Sequence, residues 1–106
     1  MEINGRFYGL WGQFVEKKDQ FIGGQLEDTG DSMDRAMGAK RIATTITDIT
    51  LEPNGTDSAY FRVVGKDFSC GFDVKYGGIG AGDEGWLTFS GYMGHTWRIK
   101  TLEETK

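Results

Sequence analysis

Among its 106 residues the chain has one cysteine, Cys70, one proline, Pro53, and one histidine, His95. A single cysteine excludes an intrachain disulfide. One histidine and one cysteine also make a poor zinc site, because structural zinc takes four nitrogen or sulfur ligands. No apolar run approaches the 18 residues of a membrane span, and the opening MEINGRFYGLWG has no apolar leader core, so a reducing cytoplasm is the expected location. Positive charge is scarce as well. The net charge is −4 and no basic stripe is visible, which disfavours nucleic acid and leaves a basic protein or a neutral small ligand as the easier partner. Nothing repeats at a fixed long period and no shift in composition marks a boundary, so residues 1–106 read as one domain.

Other absences remove particular chemistries. Asp28, Asp31 and Asp34 recur every third residue, whereas a calcium loop needs ligands every second residue and a closing Glu. The glycine-rich stretch Gly77 to Gly85 contains G-x-G. It lacks the Lys-Ser/Thr of a phosphate-binding loop, and Asp83 and Glu84 would repel a phosphate. No cofactor is expected.

Aromatic residues make up 13 % of the chain and there are 17 glycines, which fits many strands joined by tight turns and not low-complexity disorder. Arg6 to Val15 reads as a first strand that is apolar on both parities, with Gly9 and Gly12 allowing a bend. A charged turn, Glu16 to Asp19, leads to a second strand, Gln20 to Glu27. Asp28 to Arg41 breaks the pattern. There Met33, Ala36 and Met37 at i, i+3 and i+4 predict a short helix that must dock on the sheet or remain a loop.

Ile42 to Glu52 is strand-like, and its apolar parity shifts between Ile46 and Ile49, which predicts a bulge near Thr47-Asp48. Pro53-Asn54-Gly55 is a turn, Ala59 to Val64 a fourth strand, and Phe68 to Tyr76 an alternating fifth. Gly77 to Gly85 reads as a loop.

Trp86 to Lys100 keeps Leu87, Phe89, Met93, His95, Trp97 and Ile99 on one parity. As one strand it would run about 50 Å at roughly 3.3 Å per residue, so a turn within Gly91 to Gly94 is expected to divide it. The tail from Leu102 to Lys106 is expected to fray. The expected fold is all-β and mostly antiparallel. It is a small barrel or sandwich of about seven strands, with closure into a barrel favoured because it removes exposed edges.

Trp11, Phe72, Phe89, His95 and Trp97 are the candidates to line an interior pocket for a small, mostly apolar or aromatic ligand. Trp86 and Tyr92 stand on the otherwise polar parity of the last segment. They are the candidate anchors of an alternative, an acidic interaction module that forms oligomers. A third reading is a lumen-based isomerase or hydrolase, which needs His95 to meet an acid or Cys70. Asp48 and Asp73 could act as bases only if buried, and parity points Asp73 outward.

Gly9-Leu10-Trp11, a Gly-x-Trp near the N-terminus, taken with Arg98 on the last strand, resembles the calycin barrels (lipocalins and fatty-acid-binding proteins). The resemblance implies a first-strand Trp packed against a basic residue of the last strand, closing one end of a barrel. It covers three or four residues. The chain leaves little room for eight to ten strands, and the family's other motifs are absent.

Overall fold

Both parities of residues 10–21 are apolar because the segment is helical, not extended. Trp11, Phe14 and Val15 stand at i, i+3 and i+4, the spacing of one helix face. In the structure, a computed structural model, Leu10–Glu16 forms helix α1 and Lys18–Phe21 a second short turn, α2. The structure describes residues 2–3, 6–7, 10–31, 33, 36–38, 41–55, 58–81, 85–91 and 95–105. The expected first strand is therefore corrected. Among its described residues only Arg6–Phe7 (β2) is extended, paired with Glu2–Ile3 (β1). A seven-residue helix has no stability of its own in water, so α1 is held by what it packs against.

The remaining strands are Gln25–Gly30 (β3), Ile42–Asn54 (β4), Ser58–Gly65 (β5), Ser69–Asp73 (β6), Gly78–Ala81 (β7), Leu87–Ser90 (β8) and Thr96–Lys100 (β9). All seven belong to one antiparallel sheet of order β6-β5-β4-β3-β9-β8-β7. The all-β, mostly antiparallel class thus holds, with two corrections. Gly78–Ala81, read as loop, is a strand made by its pairing with β8. The sheet is also not closed: β6 and β7 are its two edges. It curls strongly nonetheless, since Phe61 on β5 and Phe89 on β8 touch with ring centroids 5.3 Å apart across its concave side. Helix α1 lies in that concavity.

β4 shows how the curl is built. Its ladder with β5 shifts register between Ile46 and Asp48, at the predicted bulge. Thr44 and Ile46 are buried before the shift, and Ile49 and Leu51 after it. One extra residue keeps the apolar side inward while the strand bends. Facing rows then stack inside: Leu51 opposite Phe61 opposite Phe72, and Ile49 opposite Val63 opposite Cys70. Gly24, entering β3, crosses so close to β9 that a Cβ there would lie 2.1 Å from the Lys100 carbonyl oxygen.

The last segment divides as expected. Gly91 N–H donates to the His95 carbonyl at 2.9 Å, and β8 and β9 pair with Leu87 opposite Ile99 and Phe89 opposite Trp97. The alternation expected from Phe68 to Tyr76 ends early. A 3-10 turn at Val74–Tyr76 rotates Tyr76 out to 58 % exposure. Asp73 faces outward and caps that turn, accepting from the Lys75 N–H, the Asn54 amide and the Ser58 hydroxyl. The Ser58 hydroxyl foremost holds its carboxyl below the ordinary value.

The predicted helix near Met33 is helical at Met33 and Ala36, and the Met37 N–H donates to the Met33 carbonyl. It does not dock through those methionines, which are 69 % and 79 % exposed. The expected frayed tail is a helical turn, Leu102–Thr105 (α3), whose Glu104 N–H donates to the Thr101 hydroxyl. Among the described residues no helix is long and apolar enough to cross a membrane.

Candidate functional site

The five pocket candidates come together. Trp11, carried inward by α1, sits 5.4 Å from Phe72 and 5.8 Å from Phe89 by ring centroids. Trp97 stacks on Phe72 at 5.5 Å, and His95 lies against Trp97 at 4.4 Å. These separations are ring contact, each adding roughly 0.5–1.5 kcal/mol beyond area burial. Trp11, Phe72 and Phe89 thus occupy the concavity with one another and with Phe61, and Trp97 and His95 extend the row to the end of the sheet.

His95 is half-exposed and stands at that end, not deep inside. One of its ring nitrogens, Nε2, is 2.7 Å from Asp28 Oδ1, which also receives the Gly30 N–H. The register shift between Asp28 and Gly30 in the β3–β9 ladder marks the same place, and bulges often re-aim a side chain. An acid–imidazole pair is therefore present.

The second ingredient of the enzyme reading is not reactive. Burial pushes the Cys70 thiol up to about 12, and the nearby Asp28 charge adds to the shift. A thiol rather than a thiolate is a poor nucleophile. In the native protein at pH 8, Cys70 is expected to react with a disulfide reagent only as fast as the protein opens, and promptly once urea unfolds it. Fast labelling of folded protein would contradict its placement. The pH dependence follows in sign. A thiol raised from 9.0 to about 12 contributes stability that is whole below pH 9 and is lost as pH rises between those values.

Among the described residues the other carboxylates do not form a site. Asp48 is exposed enough to meet Lys18 at 3.2 Å and binds the Ile49 N–H. Asp34 lies outside the described residues, among which no group of His, Cys, Asp and Glu could hold a metal ion.

The outer face of the sheet corrects two further expectations. Trp86 does lie on the polar side, yet it is only 7 % exposed. The Arg98 guanidinium covers its ring at 4.0 Å and the Lys100 ammonium at 4.6 Å, so it offers no free anchor for a partner. Tyr92, the other interface candidate, lies outside the described residues, as does Gly9. Arg98 is held in turn by Glu27, at 2.9 Å from its Nη2 and 3.1 Å from its Nε, and Arg41 approaches the same carboxylate at 3.5 Å. The calycin expectation required Arg98 to meet Trp11 on a first strand. Trp11 is instead on a helix inside the sheet, and Arg98 serves Trp86 outside it.

Open space lies beside the aromatic cluster. A cleft of about 350 Å³ runs where α1 and α2 meet the end of the β8–β9 ladder. Phe14, Phe21 and Leu87 supply its apolar surface, and Gln13, Lys17, Gln20 and Thr101 its polar positions. Phe21 is buried and Phe14 is in ring contact with Phe21, Phe61 and Phe89, so the cleft reaches the core from outside. A more acidic groove shares Gln20 and Thr101 with it and continues past Asp19, Leu102 and Glu103.

None of the lining residues stood among the sequence candidates. The signal was present in the spacing of Trp11, Phe14 and Val15. Read as a strand, however, the segment gives Phe14 no common face with Trp11, and α2 is not foreseen at all. A scan against protein-family models, a search of curated proteins and a search of solved structures each return no match for this chain, so its function must be argued from this geometry.

Proposed function

We propose that the protein is a non-enzymatic binding domain for a small, mostly apolar or aromatic molecule. The observation that carries this reading is the cleft beside α1, about 350 Å³ in volume, with Phe14, Phe21 and Leu87 among its lining residues. Small-ligand sites are concave, largely apolar, and of roughly 300–1,000 Å³, with a few polar groups that fix orientation. This cleft has that make-up at the small end of the range. The ring cluster behind it supplies a rigid wall, which limits the ordering a ligand must impose.

A neutral aromatic probe, 2-naphthamide, tests the reading by two-dimensional NMR. Saturable shifts are expected at Gln13, Gln20, Leu87 and Thr101, and the exposed Gln20→Trp substitution, which fills the opening, should weaken binding at least about tenfold, or 1.4 kcal/mol. Absence of saturation, or shifts scattered over the outer face of the sheet, sinks the proposal.

A further inference from the structure

We infer that the cleft selects aromatic carboxylates, with Lys17 receiving the acid group; this inference rests on the binding reading above. Among the described residues Lys17 is the only charged side chain that lines the cleft. No ion pair or hydrogen bond of its ammonium is found among the described residues, whereas its neighbour Lys18 is engaged with Asp48 at 3.2 Å. In a chain with 16 acidic and 12 basic residues, a cation beside an apolar cleft that meets no carboxylate among the described residues favours an anion there.

The surroundings fix the direction in which a ligand would lie. Gln13 is one helical turn before Lys17, and the Lys17 N–H donates to the Gln13 carbonyl, so the two side chains share one helix face. Gln20 follows in α2, and its N–H donates to the Lys17 carbonyl. The Gln13 and Gln20 amides can donate to a carboxylate beside the ammonium. Asp19 and Glu103 line the adjoining groove, and they disfavour an acid group placed on that side. The acid end therefore belongs at Lys17.

The rest of the ligand meets the rings of Phe14 and Phe21, with Leu87 also in the lining. Those two rings are already in edge contact at 5.7 Å, so a third ring can extend the same offset arrangement. A flat aromatic body uses that wall better than a flexible chain, which must be ordered on binding.

The test compares two near-isosteric probes, 2-naphthoate and neutral 2-naphthamide, by calorimetry or NMR titration at pH 7. The expected result is naphthoate bound about three- to tenfold more tightly, with the preference shrinking as salt is raised. Lys17→Met should bring naphthoate down to the affinity of naphthamide in the same variant, and Lys17→Arg should retain the preference. Equal affinity for the two probes in the unaltered protein, or a preference that survives Lys17→Met, overturns this inference alone. Failure of both probes to bind overturns the binding reading and the inference together. Lys17 is exposed and outside the core, so its substitution does not confound the test with unfolding.

Discussion

Phe61→Ala is expected to destabilise the protein by about 3–5 kcal/mol, the range for truncating a fully buried aromatic side chain. Phe61 has no exposed surface and touches the rings of Trp11, Phe14, Phe72 and Phe89. It is thus the residue through which helix α1 and both halves of the sheet meet. The lost area is only part of the effect, because four neighbouring rings spread over α1, β6 and β8 cannot close the void together. Against a total stability of roughly 5–15 kcal/mol, the loss takes from about a fifth to all of it. Urea unfolding followed by Trp fluorescence measures it, and Phe61→Leu should cost markedly less. A loss below about 1.5 kcal/mol for the alanine variant would show that the cluster is not packed as described.

A second large effect is expected on the opposite face. Glu27→Ala should cost about 2–3 kcal/mol, somewhat below the 3–5 kcal/mol typical of breaking a fully buried pair. Glu27 and Arg98 keep 12 % and 24 % of their side-chain surface, so water repairs part of the damage. The remainder falls on Arg98, which loses its hydrogen-bonded anion at 2.9 Å while still held over Trp86. If the loss is an uncompensated cation and not the pair itself, Glu27→Leu combined with Arg98→Leu should recover most of it. Chemical denaturation of the two variants decides this. A double variant no more stable than Glu27→Ala would show that the Trp86–Arg98 stack stabilises the face more than the ion pair does.

Much of the sheet was legible because alternation is a local property of strands. The parity shift at Thr47-Asp48 announced the bulge, and the length of Trp86 to Lys100 announced its hairpin. Residues 10–21 were misread for a physical reason. A short helix inside a curved sheet is apolar over most of its surface, and a strand covered on both faces shows the same composition. Gly78–Ala81 was missed because glycine has little strand preference, and only the neighbouring β8 makes it extended.

Trp11, Phe72, Phe89, Trp97 and His95 stand in the sequence only as candidates to line an interior pocket. That they meet one another, and that the open volume lies beside Phe14 and Phe21, depends on where α1 docks. The burial of Trp86 was equally out of reach, since it depends on which cations cross the strand to cover it.

The strand order also dictates a timetable. β3 pairs on one side with β4, which follows it closely, and on the other with β9, at the far end of the chain. During synthesis, at about 5–20 residues per second, that second side stays open for roughly 4–14 s while β4 to β8 emerge. An open strand edge is a template for unwanted pairing, and inward or flanking charges are a common guard. Glu27 and Asp28 stand on this edge, opposite Arg98 and Trp97 in the finished ladder. Before those partners exist, the two carboxylates repel other nascent chains. Once they arrive, Arg98 pairs with Glu27, the His95 ring nitrogen meets Asp28 within hydrogen-bond distance, and the sheet is completed by its last strand.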